Sequence, residues 1–178
     1  MLRRKYHHLA AALTFVALGG CSNDTPTSAV AAGSSAAVAD ASGASATLLE
    51  CPPATDKSTT SVVDALGGVL SVGGTSVVIP ANAVLAPTSF TLTVPASRYV
   101  EIEVTAGDAD HFVFSRPVLV TIDYGRCGDS SLFDPPHQAW NIDPGTKALL
   151  ERMSGVDVKL AHTVVFSTIH FSGYALAD

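Results

Sequence analysis

The sequence is short of charge. Asp, Glu, Lys and Arg make up 15% of its 178 residues, with ten basic side chains against sixteen acidic. Three of the ten bases, Arg3, Arg4 and Lys5, lie in a 20-residue leader that holds no acid. Without the leader, seven bases face sixteen acids, a formal charge of −9. That balance excludes a basic footprint for nucleic acid or for anionic lipid. The apolar stretch from Leu9 to Leu18 is too short to stay in a bilayer as a spanning helix. Also lacking are a Gly-rich phosphate loop, a nucleophile elbow and a paired-cysteine metal motif, so no cofactor is expected. What remains is ample apolar material, 47% of the chain, in a length that suits one domain with extensions.

The N-terminus reads as a signal peptide over residues 1–20: a positive start, an apolar core, then Leu18-Gly19-Gly20-Cys21. Those four residues resemble the bacterial lipobox, whose cysteine thiol receives diacylglycerol. An ordinary secretory signal followed by a chance cysteine is the alternative. On the lipobox reading the mature chain starts at Cys21, and its partner is membrane lipid. Two or three acyl chains make a durable anchor, since each buried methylene contributes about 0.8 kcal/mol. Ser22, rather than aspartate, follows the cysteine, which points to the outer membrane in a cell envelope with two membranes. Arg3-Arg4 also raises the twin-arginine route, which Lys5-Tyr6-His7-His8 fits poorly.

Residues 21–50 are read as the lipidated cysteine and a flexible tether. Between 25 and 47, Ala, Ser, Thr and Gly fill 19 of 23 positions and no apolar period survives. Such a chain spans ~25–30 Å. From residue 51 the pattern is alternation. Phe90, Leu92 and Val94 share one face; Val100, Ile102 and Val104 repeat it, with Glu101 and Glu103 outward; Val118, Val120 and Ile122 follow Pro117. Period-two runs this short mark half-buried strands. Others are expected at 60–65, 69–72, 75–79, 111–115, 138–142, 147–153, 156–160, 162–169 and 171–176. Residues 146–153 also have helical propensity but are read as a strand. The expectation for 51–178 is an all-β antiparallel sandwich.

With Cys21 committed to lipid, Cys51 and Cys127 remain as a pair. Beyond an oxidising boundary they read as a disulfide closing more than seventy residues, worth about 4 kcal/mol; two buried free thiols are the alternative.

Gly67-Gly68-Val69-Leu70, Thr75 to Val84 with its Ile79-Pro80 strand ending, Thr88 to Leu92, and His170-Phe171-Ser172-Gly173-Tyr174 together resemble the ZU-five domain. That β-sandwich is shared by ankyrins, netrin receptors and zonula occludens proteins, and similar domains occur on bacterial exported proteins. The likeness covers roughly residues 62 to 178. Asn82 stands where the family usually has glycine, and asparagine tolerates positive φ. The resemblance implies fold more than function. Ankyrin's spectrin binding is not carried over, because the basic face is missing.

Some self-cleaving relatives cut before the serine of a His-Phe-Ser tripeptide. The resemblance would make His170 the base, Ser172 the nucleophile and Phe171–Ser172 the target bond. In a regular strand the same residues simply alternate, and neither the His–Ser distance nor peptide strain is supplied; only a bulge or kink would supply them. Asp108-Ala109-Asp110-His111 could offer oxygens and an imidazole to a cation, but reads more simply as a solvated turn. Asp134-Pro135-Pro136-His137 reads as a rigid loop before a core Trp140. Neither predicts a metal. The expectation is a non-enzymatic, lipid-anchored interaction or structural module, with an envelope protein or glycan partner that the residues do not specify. The alternative is a self-processing domain.

Overall fold

The computed structural model describes residues 45–109, 111–128 and 131–178. The signal peptide, Cys21 and the tether through residue 44 lie outside the described residues. Eleven strands form in chain order: β1 (Lys57–Val63), β2 (Gly68–Val72), β3 (Thr75–Ile79), β4 (Thr88–Val94), β5 (Glu101–Ala106), β6 (Phe112–Asp123), β7 (Gln138–Ile142), β8 (Leu149–Arg152), β9 (Gly155–Val158), β10 (Thr163–Phe171) and β11 (Gly173–Ala177). Two short 3₁₀ turns, Gly125–Cys127 and Lys159–Ala161, complete the elements. One sheet runs β1-β4-β5-β11-β7-β8 and the other β2-β3-β6-β10-β9, with every pairing antiparallel. The all-β sandwich read from the alternation is the fold.

The inner faces meet in a core that includes Leu70, Val77, Phe90, Leu92, Val104, Val120, Ile122, Phe166 and Phe171. Removing such side chains from water is what drives the two sheets together, at about 25 cal/mol per Å² of apolar surface. Turn chemistry sets the hairpins. Gly67 has φ +81°, and a Cβ there would sit 2.4 Å from the Ile79 carbonyl oxygen, so no other residue fits. Asn82 adopts φ 63°, the positive value its amide side chain tolerates.

Four details depart from the sequence reading. The runs at 111–115 and 118–122 are one strand, β6. Its partner β10 pairs Thr168 with Val118 and then His170 with Val113, so Ile169 alone opposes Phe114–Pro117. Pro117, which has no N–H to give a ladder, is accommodated inside that bulge. Second, residues 159–160 leave the expected strand for a 3₁₀ turn, which His162 ends in the left-handed region.

Third, residues 47–50 belong to the sandwich and not to the tether. Thr47 and Asp178 exchange two backbone bonds at 3.1 and 3.0 Å, and Leu49 N–H donates to the Leu176 carbonyl at 2.8 Å. Leu48 and Ala46 thereby join a second apolar cluster on the outer face with Trp140, Ile142, Leu149, Ala175 and Ala177. Fourth, Glu101, expected in water, is 4% exposed. It lies on the same outer face, one strand from Ala175, where Lys147 reaches its carboxylate at 2.6 Å.

The sandwich has two unlike ends. The proximal end gathers the incoming chain at 47–50, the C-terminus, residues 124–128 and 131–137, and the turn at 159–162. The distal end gathers the turns at 64–67, 80–87 and 107–109 with the link between β10 and β11.

Candidate functional site

The distal end holds the His170-Phe171-Ser172 tripeptide, and it is not part of a regular strand. Phe171 is the last residue of β10 in one sheet, and Gly173 is the first of β11 in the other. The chain changes sheets at Ser172, directly after the bulge at Ile169. Gly173 fits closely there: a Cβ would lie 3.2 Å from both the Ile142 carbonyl oxygen and its Cγ1, a contact the neighbour would have to yield to by a few tenths of an ångström.

A bulge frees main-chain groups that must find other partners. Thr168 and Tyr174 supply them. His170 N–H donates to Thr168 Oγ1 at 3.2 Å, and Thr168 Oγ1 reaches the His170 carbonyl at 3.1 Å. The Tyr174 hydroxyl donates to the same carbonyl at 2.5 Å and lies 3.1 Å from Thr168 Oγ1. Burial pushes the Tyr174 phenol up to about 12, so it stays protonated and able to donate.

The ring of His170 points its Nδ1 at the Tyr174 hydroxyl, 3.2 Å away, and its Nε2 toward Glu151 Oε2 at 3.9 Å. His111 stacks on it with ring centroids 5.8 Å apart. The side chain of Ser172 accepts a hydrogen bond from Asn141 Nδ2, which also donates to the Gly173 carbonyl at 3.1 Å. The imidazole Nδ1 therefore faces the Tyr174 hydroxyl. A donor on the serine oxygen draws electron density from it, and Tyr174's single proton is directed at a carbonyl. The kink that cleavage needs is present, but these hydrogen bonds oppose activation of Ser172. An open pocket of about 390 Å³ adjoins the cluster, lined in part by Pro117, Glu151, Met153 and His170.

The proximal end carries the disulfide. Cys51 and Cys127 are bonded, fastening the segment after Glu50 to the 3₁₀ turn that follows β6. Next to it, Arg126 donates to the carbonyls of Pro52, of Ser97 at 3.2 Å and of Tyr99 at 2.5 Å. Asp157 is a second hub. It accepts from the Tyr124 hydroxyl at 2.6 Å and from His137 N–H at 2.9 Å, with Lys159 Nζ at 3.6 Å. A pocket of about 460 Å³ lies beside it, between Pro136 and Met153. Paired this fully, Asp157 serves the loop and not a substrate.

Among the described residues, no group of three or more His, Cys, Asp or Glu is placed to hold a metal ion. Asp110 lies outside the described residues, Asp108 sits in an exposed turn, and His111 is against His170. Asp134 caps its own loop by accepting from Ser131 N–H at 2.8 Å, and the His137 ring lies 2.5 Å from the Asp178 carboxylate. Trp140 is buried, but in the outer cluster rather than between the sheets. Sequence reasoning missed Thr168, Asn141, Arg126 and Asp157, and it named Tyr174 only within the tripeptide's motif, without a role. No spacing signals them, because each acts across a bulge, a sheet change or a loop. No protein-family model matches the chain, and no curated protein does.

Proposed function

We propose that this chain is a cell-envelope lipoprotein, anchored through acylated Cys21 and displaying a ZU-five-like β-sandwich as a non-enzymatic interaction or structural module. The observation that carries the reading is the Leu18-Gly19-Gly20-Cys21 motif ahead of a folded domain closed by a disulfide. A structural disulfide suits a protein that folds beyond the reducing cytoplasm. The ZU-five-like assignment is supported by the sandwich and by the glycine and asparagine turns at 67 and 82. Metabolic labelling with a palmitate analogue tests the anchor. Wild type takes up label and stays in the membrane fraction; a Cys21→Ala variant that does the same refutes the reading.

A self-processing domain is the second reading, favoured by the sheet change at Ser172. The hydrogen bond from Asn141 to Ser172 argues against it, and the expected product of purification is the uncut chain. A species ending at Phe171 that disappears in Ser172→Ala, seen by denaturing mass spectrometry, would reverse the order of the two.

A further inference from the structure

Three large apolar side chains stand in water on two neighbouring loops at the proximal end: Phe133 at 98% exposure, Leu160 at 84% and Leu132 at 62%. Their loop is shaped by its own hydrogen bonds. Ser131 N–H donates to Asp134 Oδ2 at 2.8 Å, Asp134 N–H returns to the Ser131 carbonyl at 3.1 Å, and Phe133 N–H donates to Ser131 Oγ at 3.2 Å. Pro135 and Pro136 stiffen the exit, and Lys159 Nζ donates to the Pro135 carbonyl at 3.0 Å, tying the Leu160 turn to the loop. The exposed residues are thus held out by a built scaffold, at the cost of leaving a phenyl ring and two isobutyl groups hydrated.

From these observations we infer that Leu132, Phe133 and Leu160 form an apolar tip through which the sandwich rests on the lipid bilayer that holds its anchor. The inference depends on the lipoprotein reading for the nearness of the bilayer, and the position of the incoming chain selects lipid as the occupant. Thr47 pairs with Asp178, whose carboxylate lies 2.5 Å from the His137 ring at the foot of the same loop. The chain from Cys21 therefore arrives at the end that carries the tip. A chain of that length and composition reaches ~25–30 Å, which keeps the tip within touching distance of the headgroups. Three side chains bind a bilayer weakly by themselves, but tethering raises the effective concentration of the surface to the millimolar range. The acidic balance of the chain supplies no attraction to anionic lipid, so the contact is an apolar one that suits zwitterionic headgroups.

The distal end provides an internal control. Leu66 and Leu85 are as exposed, at 85% and 81%, yet they sit a strand's length away, roughly 20 Å from the incoming chain. Exposure alone would make both ends sticky; position makes only one of them face the lipid.

The test uses the full-length protein in phosphatidylcholine vesicles with brominated acyl chains, comparing F133W with L66W and with wild type, whose buried Trp140 sets the background. The tryptophan of F133W is expected to be quenched at least twofold relative to unbrominated vesicles, with L66W and wild type unchanged. Adding L132S and L160S should remove at least half of that quenching. An unquenched F133W, or an L66W quenched as strongly, overturns the tip. Intact mass of the same preparation reports the acyl chains on Cys21, so a failed anchor is read separately from a failed tip. If the mass shows none, F133W is mixed with the brominated vesicles at millimolar accessible lipid, about the concentration the tether would supply; quenching upholds the tip and its absence overturns it.

Discussion

The two ends of the sandwich close the gap between the sheets in different ways. At the proximal end the closure is covalent: Cys51–Cys127 links the incoming segment to the end of β6, and Arg126 binds three carbonyls beside it. At the distal end the described residues are held by packing and buried hydrogen bonds. Phe90, Phe112, Phe114 and Phe171 meet edge-on or stacked with centroids 4.4 to 5.8 Å apart, and Thr168 with Tyr174 repairs the bulge. A cross-link works chiefly by restricting the unfolded chain, whereas rings and hydroxyls work in the native state. One end therefore answers to reductant, the other to side-chain substitution and pH.

The strongest way to break this contrast is to remove the cross-link. Cys51→Ser with Cys127→Ser is expected to lower unfolding free energy by about 4 kcal/mol, measured by urea denaturation. Hydrogen exchange should speed up first at Thr47 and Leu49, while distal amides keep their relative protection. Equal loss of protection at both ends would show that they form one cooperative unit.

Tyr174→Phe sharpens the distal side, and it should cost about 1–3 kcal/mol by leaving the His170 carbonyl one donor short. Its signature is in alkali. The folded phenol is raised from 10.0 to about 12, so the unfolded chain loses this proton first. The stabilising contribution is complete below about pH 10 and falls away as pH rises through about 12, by about 2–3 kcal/mol in all. The difference between wild type and Tyr174→Phe in that window isolates the group, and a constant difference would mean the phenol is not buried. Thr168→Val, nearly equal in volume, follows at about 1–2 kcal/mol, because His170 N–H loses its acceptor. Smallest is Phe133→Ser at the proximal tip, expected to change stability by less than about 0.5 kcal/mol in thermal melts. A larger loss would mean that the ring packs in the fold.

Much of the sandwich could be read from the chain because period-two alternation is a local property. The bounds expected for β3 and β7 agree with the observed strands, and residues 149–152 form a strand despite helical propensity at 147–152. Cys51 and Cys127 could be paired from export and even number alone. The failures are non-local. Pro117 looked like a strand break, but the bulge opposite it is set by the register of β10. Glu101 looked solvated because nothing in its own strand reports that Lys147, from a loop beyond β7, will cover it. Thr47 to Glu50 fell to the tether because its bound was set at residue 50, just before Cys51, and only pairing with the C-terminal strand reveals that they belong to the sheet. At the candidate site, His170 and Ser172 were visible as a tripeptide. The geometry that decides their chemistry depends on Asn141 and Tyr174, which no spacing connects to them.

The position of Cys51 also fixes how the domain carries load. Any pull transmitted through the chain ahead of residue 45 meets first the short ladder of Thr47 and Leu49 against β11. Those bonds can peel one after another, but peeling stops at Cys51, where the force passes through sulfur into residue 127 at the end of β6. The chain between the two cysteines, which are 76 positions apart and enclose β1 to β6, is then bypassed and feels no tension along its backbone. The disulfide acts as a mechanical stop, letting a few residues pay out as slack while most of the sandwich stays unloaded.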